Sequence, residues 1–476
     1  MKLLIRVLAL VAVTLLTGCI TVRLPGAVTF TPPPAATTPP PPGERPTTVP
    51  TFTPATARAT PSPTSAATRP AGVVGPVIGP DYVLRTDTPS PTFTPTPPSV
   101  TPGPSPTPLP VILAQKVGVQ IHPFIEEEEL IDLLNRAKFD LGMPWVKFQM
   151  EWKLMEPGGL GQRELDYQIL ERFITDAHNR GFSVLLSIVN APDWARTPVN
   201  LAEFPNTPYP EEGPPADYQQ FADFVRYIAE TFVNRVDAIE VWNEPNLRRE
   251  WFGKPLGGAE YMRLFDAVYR AVRSSANPNI PLITAGLAPT GINDRVTAVN
   301  DRIFLREMYQ AGLAQYTNVA IGVHPYGWGN PPSAVCCDAN PGRGWADQPF
   351  FFFRDTMEAY RAIMEEFGHA DGKMWITEFG WPSFDGFGVE PDPAIAFIGY
   401  VSEWDQAHYL IEALAYLNAQ PYVERSFIWN LNWAIFMGRD GIQPLEQEAA
   451  YALIRPDGSP RPAYLLIQQS PKEGAP

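Results

Sequence analysis

Val117-Gly118-Val119-Gln120-Ile121 is an apolar run of strand length, and after a polar break Glu126 to Leu141 carries Leu130, Ile131, Leu133, Leu134, Ala137 and Leu141. Those spacings gather the apolar side chains on one helical face, so the stretch reads as a strand followed by its covering helix. The same unit recurs down the chain. Further strands are expected at Trp145–Met150, Ser183–Val189, Asp237–Trp242, Pro281–Ala285, Val319–His324, Lys373–Glu378 and Arg425–Asn430. Amphipathic stretches alternate with them at Asp166–Arg180, Asp217–Asn234, Glu260–Ser275, Arg302–Gly312, Arg354–Phe367 and Ala407–Asn418, and a last helix starts near Pro462. Eight strands alternating with eight helices in about 360 residues predict an α/β fold, a (β/α)8 TIM barrel. A doubly wound open sheet is the alternative, but the sequence has no glycine-rich phosphate loop after the first strand.

Ahead of the barrel the composition changes. Of 56 prolines, 26 lie between Ile20 and Pro110 together with 20 threonines, and that stretch has only four aromatic and eight charged side chains. It has too little apolar surface for a core, so residues 20–110 read as a disordered Pro/Thr-rich linker whose Thr-Pro and Ser-Pro repeats favour an extended polyproline conformation. At about 3.1 Å per residue, such a linker reaches on the order of 250 Å. Residues 111–476 form the barrel domain and hold all 12 tryptophans. This domain has 48 acidic against 29 basic residues, which argues against nucleic acid or an anionic lipid surface as its partner.

Lys2 and Arg6 flank the start of an apolar run, Val7 to Leu16, too short to span a bilayer as a mature helix. It ends in Leu16-Thr17-Gly18-Cys19, which resembles the lipobox of bacterial lipoproteins. The resemblance implies a lipoprotein signal peptide over residues 1–19, lipidation of Cys19, and export. The protein would be anchored to the membrane only through its N-terminal lipid, with the barrel outside the cytoplasm. An ordinary secretory signal is the alternative. Cys336 and Cys337 are then left for pairing. Neighbouring Cα atoms about 3.8 Å apart fall below the roughly 4.4–6.8 Å of most disulfides, so an oxidised vicinal pair and two free loop thiols both stay open. No further cysteine or nearby histidine completes a ligand set, and no metal is expected.

Barrels of this kind place their chemistry at the C-terminal ends of the strands. Read in order, those ends carry His122, Glu151-Trp152, Asn190 with Trp194 beyond, Asn243-Glu244-Pro245, His324-Pro325-Tyr326, Glu378 with Trp381 beyond, and Trp429-Asn430. The fifth, Gly286-Leu287-Ala288, is bland. Trp242-Asn243-Glu244-Pro245-Asn246 resembles the acid/base signature of glycoside hydrolase clan A, and Trp375-Ile376-Thr377-Glu378-Phe379-Gly380-Trp381 resembles its nucleophile segment. The 134-residue separation of the two glutamates suits three intervening βα units. The resemblance covers nearly all of residues 111–468; family thirty-nine is nearest, with the cellulase family five close behind.

Cleaving an acetal needs a protonated carboxyl for the leaving oxygen and an ionised carboxylate for the oxocarbenium-like carbon. On the resemblance, Glu244 is the acid/base and Glu378 the nucleophile of a retaining double displacement that uses neither metal nor organic cofactor. Neighbouring negative charge is expected to raise one carboxyl and keep a proton on it. Asn243 then contacts the sugar 2-hydroxyl, Tyr326 hydrogen-bonds the nucleophile and His324 lies beside it. Lys147 stands where family five carries an arginine, losing its two-pronged fork; an interior partner for Glu240 is the other reading. Trp429 is expected as a platform under the sugar, Trp152, Trp194 and Trp381 as platforms or core, and His122 and Asn190 as hydroxyl contacts or framework. The expected substrate is a polysaccharide or oligosaccharide, cleaved by a monomer. Two rivals are a catalytically silent carbohydrate-binding lipoprotein and a transglycosylase that uses the same glutamates.

Overall fold

Parallel strands covered on both faces need apolar side chains at nearly every position, and the segments that meet this requirement are the ones that pair. The computed structural model describes residues 108–123, 125–198, 212–337 and 347–474. The expected signal segment, Cys19 and nearly all of the expected linker lie outside the described residues. Eight strands form a closed barrel: β1 Val117–Gln120, β2 Trp145–Glu151, β3 Ser183–Val189, β4 Ala238–Val241, β5 Leu282–Thr284, β6 Val319–Val323, β7 Met374–Phe379 and β8 Val423–Ile428. Each runs parallel to its neighbour, and β8 closes on β1 through the pair Gly118 and Phe427. The principal helices are α1 Glu127–Asn135, α2 Leu165–Asn179, α3 Tyr218–Thr231, α4 Gly258–Arg273, α5 Asp301–Gln310, α6 Phe353–Glu366, α7 Glu403–Ala419 and α8 Pro462–Gln469. This is the expected (β/α)8 architecture.

Local signals set several boundaries. Asn300 accepts hydrogen bonds from the Arg302 and Ile303 amides at the start of α5, and Ser402 with Asp405 forms a reciprocal capping box on α7. α1 ends earlier than expected, because the chain widens into one π turn over Arg136–Asp140. β8 starts two residues earlier, at Val423, since the charge of Glu424 does not interrupt it: Trp375 Nε1 donates to Glu424, and the neighbouring Arg425 guanidinium lies over the Trp145 and Trp375 rings. Trp145, Leu185, Ala238, Ile283, Ala320, Trp375 and Phe427 pack together near the strand starts, so the barrel interior there is filled.

The strands' far ends open onto long connections. A small apolar cluster that includes Phe384, Phe387, Ile398, Ala434 and Ala450 ties the connections after β7 and β8 to each other. Cys336 and Cys337, after β6, are joined as a disulfide, the oxidised one of the two readings of that pair. At the opposite end of the barrel, Ile112–Leu113 pairs in parallel with Lys472–Glu473.

Candidate active site

At the end of β4 the backbone turns sharply. Trp242 and Glu244 take φ of 79° and 40°, a left-handed conformation that is costly for residues with a Cβ. Bonds on every side hold the turn. The Glu244 amide donates to the Gly286 carbonyl at 3.0 Å, Trp242 Nε1 donates to the Glu250 carbonyl, and the buried Asn246 side chain bonds Ala288 and Val299. Glu244 therefore faces the cleft above β4. Glu378 reaches the same cleft directly from β7.

His324, fully buried at the end of β6, joins them. Its Nδ1 is 3.2 Å from Glu244 Oε1 and 3.8 Å from Glu378 Oε2, while Nε2 sits 3.1 Å from Thr377 Oγ1. Burial alone would lower the imidazole pKa, but Glu378 and Glu244 outweigh it and raise it. Gly286, the bland strand end, makes room for this ring: a Cβ there would lie 2.1 Å from His324 Cδ2, so only glycine fits.

Lys147 on β2 has no exposed surface and holds two carboxylates at once, Glu378 Oε1 at 2.9 Å and Glu240 Oε2 at 3.2 Å. Both sequence readings of Lys147 are thus realised by one ammonium. Burial disfavours the charges on Lys147 and Glu240, yet their mutual attraction outweighs it, raising the lysine and lowering the glutamate. Ser187 Oγ and the Gly286 amide also donate to Glu240. Tyr326 donates to Glu378 Oε2 at 2.8 Å; burial and the Glu378 charge push its phenol well above its usual range, so it keeps its proton.

Glu244 departs from expectation. Burial pushes its carboxyl up, but the hydrogen bond from His324 and the charge of Arg249 outweigh burial and hold it below the ordinary range. Arg249 Nη2 lies 3.0 Å from Glu244 Oε2. The carboxyl pushed up by burial and neighbouring negative charge is Glu250, raised to about 8.

The two glutamates open onto a cleft of about 940 Å³. Asn190, Asn243, Tyr326 and Trp429 line it as expected, with Gln120, Gln149, Trp328 and Trp433 beside them. Among the described residues, Gln120 Oε1, Asn190 Oδ1, Asn243 Oδ1 and Trp433 Nε1 are buried without a hydrogen-bond partner. Native proteins rarely leave such atoms unpaired.

Other expected contacts are elsewhere. Trp152 and Trp381 are fully buried in the core: Trp152 stacks on Phe224, and Trp381 donates to the Asn330 carbonyl and packs on Phe353, so neither is a platform. Trp194 bonds the Glu156 carbonyl outside the cleft lining. His122 packs against Trp433 and Phe436 behind the lining, and burial lowers its pKa to about 4. Lys147 and His324 act from beneath the cleft, through the carboxylates they touch. Sequence reasoning missed Arg249 and Glu250, which read as an ordinary solvated run after the Glu244 turn, and the interior glutamines of β1 and β2. Among the described residues, no group of three or more His, Cys, Asp or Glu side chains is placed to hold a metal ion.

A closed barrel with glutamates from β4 and β7 meeting in one cleft is the architecture of clan A glycoside hydrolases. Residues 115–422 match the model of the cellulase family, glycosyl hydrolase family 5, and the chain belongs to that family. A family 39 glycoside hydrolase from the gut symbiont Bacteroides cellulosilyticus WH2 is similar in structure, with a TM-score of 0.52 and 21% identity over 76% of this chain and 65% of that one. An exo-beta-1,4-mannosidase from Opitutaceae bacterium strain TAV5 gives 0.46 and 16% over 76% and 58%. An endo-beta-1,4-glucanase from Xanthomonas axonopodis pv. citri gives 0.45 and 13% over 75% and 98%. The chain thus spans less than two thirds of the length of the first two. The family model is that of family five, which the sequence reading ranked second, whereas the first of these structures is of family 39. No curated protein matches the chain.

Proposed function

We propose that this protein is a retaining glycoside hydrolase in which Glu378 attacks the anomeric carbon and Glu244 protonates the leaving oxygen, then activates water. One observation carries the reading: two glutamates 134 residues apart face the same His324 nitrogen, at 3.2 and 3.8 Å. Those two oxygens are therefore no further apart than the sum of the two distances, about 7 Å, which supports the short separation of a retaining pair. Lys147 at 2.9 Å and Tyr326 at 2.8 Å each hold one oxygen of Glu378 and fix its carboxylate at the cleft floor. Trp429 and Trp433 line the cleft beside Gln120, Asn190 and Asn243, offering indoles for a pyranose and amides for its hydroxyls.

The substrate is a polysaccharide or oligosaccharide, and a β-glucan of the kind the family is named for is the first to test. Proton NMR of the first-formed anomer tests the mechanism. Retention is expected, and an inverted product overturns the double displacement. We further propose that Cys19 is lipidated and that the exported enzyme acts as a monomer from the membrane surface, as the Leu16–Cys19 run supports.

A further inference from the structure

An acid/base residue must start the reaction protonated, yet Glu244 rests against a guanidinium that favours its ionised form. Arg249 touches a second carboxylate as well: its Nε lies 3.4 Å from Glu250 Oε1, opposite the 3.0 Å contact of Nη2 with Glu244. The arginine side chain is half exposed at the cleft, whereas both glutamates are nearly buried, so the cation is the mobile member of the three. We propose that Arg249 is a two-position switch and Glu250 a proton store, both serving Glu244 as positioning residues.

In the resting site Glu250 holds the proton and Arg249 neutralises Glu244. When the sugar fills the cleft, Arg249 turns fully onto Glu250. The Glu250 carboxyl gives up its proton, Glu244 takes it, and the guanidinium keeps its charge while changing partner. The three groups sum to zero before and after, so the exchange does not unbalance charge in a buried site.

The surroundings fit this exchange. Glu250 receives a hydrogen bond from Asn243, which lines the cleft, and faces the negative charges of Glu244 and Glu212. Those charges and burial favour its protonated form, against Arg249. Glu212 is itself bridged by Lys153, which also holds Glu151. Glu448, from the connection after β8, adds negative charge near Arg249. Glu244 faces His324 from β6, which also faces Glu378 from β7, and its charge is felt by Tyr326 and Tyr451. His324 is the other group able to supply the proton, and the experiment separates the two sources.

The inference rests on Glu244 being the acid, so Glu244→Gln is the control. Kinetics on cellotetraose, a poor leaving group, and 2,4-dinitrophenyl β-cellobioside, a good one, are measured across pH with wild type, Glu250→Gln, Arg249→Gln and the double variant. In Glu250→Gln the basic limb of kcat/KM moves down by about 1–3 pH units, the size of a nearby charge effect. Cellotetraose turnover falls at least about tenfold, within the ~10²–10⁴ supplied by general acids, while the dinitrophenyl substrate is spared. Arg249→Gln does not lower the limb, and the double variant follows Arg249→Gln, because the store matters only while Arg249 opposes Glu244. Independent of any substrate, carbon NMR of carboxyl-labelled glutamate shows one resonance titrating near about 8 that is absent from Glu250→Gln. An unchanged basic limb in Glu250→Gln, equal losses on both substrates, or no such resonance overturns the proposal and leaves His324 as the source. If Glu244→Gln itself loses equally on both substrates, the acid assignment fails instead.

Discussion

Replacing Lys147 by methionine keeps most of the side chain's bulk and removes its charge. Glu240 and Glu378, held at 3.2 and 2.9 Å by one ammonium, then lose it and keep only the more distant His324 ring, at 3.9 and 3.8 Å, in a site with almost no solvent. Breaking a buried ion pair from one side costs about 3–5 kcal/mol, and here two carboxylates lose their partner, so the upper half of that range is expected at neutral pH. Part of the cost is relieved when one carboxyl takes up a proton. In the wild type, Glu240 sits below its ordinary value of 4.5, so its contribution is present above that pH and lost as pH falls through the lowered value. In the variant the same group is raised, and its penalty disappears below about 4.5 and grows as pH rises. Both effects narrow the gap between the proteins in acid. Urea unfolding of each at pH 7 and pH 4.5 measures it. A loss under about 1 kcal/mol at neutral pH, or an equal loss at both pH values, refutes the idea that Lys147 is a charge bridge. A second variant, Lys147→Met with Glu240→Gln, restores part of the loss, with a coupling of roughly 0.5–3 kcal/mol.

Gly286→Ala drives a methyl into the His324 ring, so the imidazole leaves Glu244; thermal melting registers about 1–3 kcal/mol of overpacking, and kcat/KM falls more steeply than stability explains. Trp429→Ala and Trp152→Ala separate cleft from core: the first raises KM with little change in melting, whereas the second costs about 3–5 kcal/mol as a buried aromatic truncation. Cys19→Ala moves the protein out of the membrane fraction, and mass spectrometry of the mature N-terminus finds acyl chains on Cys19 only in the wild type. An unmodified terminus elsewhere removes the anchor.

The barrel was legible because strands buried on both faces announce themselves as apolar runs, and Ser183–Val189 matches its expected limits residue for residue. β8 slipped because Glu424, just ahead of the expected start at Arg425, looks like a boundary until the indole that donates to it is seen. Glu244 and Glu378 were readable from short flanking signatures at strand ends. Trp152, Trp194 and Trp381 were not resolved by sequence, since a strand-end indole looks the same whether it meets solvent or Phe224. Arg249 and Glu250 were hidden for a different reason. Their place beside Glu244 comes from the left-handed turn there, which brings a polar run back to its carboxylate, and no local pattern reports that reversal.

The parallel pairing of Ile112–Leu113 with Lys472–Glu473 has a practical reading. The two ends of the barrel lie side by side, next to the strand starts and on the face opposite the cleft. A bead, tag or fused partner attached at either end leaves the opening clear, and immobilised protein should keep its access to large, insoluble polymer. A short linker between those paired ends also closes the barrel into a ring, allowing new termini to be cut in an exposed connection between helix and strand without disturbing any contact of Glu244 or Glu378.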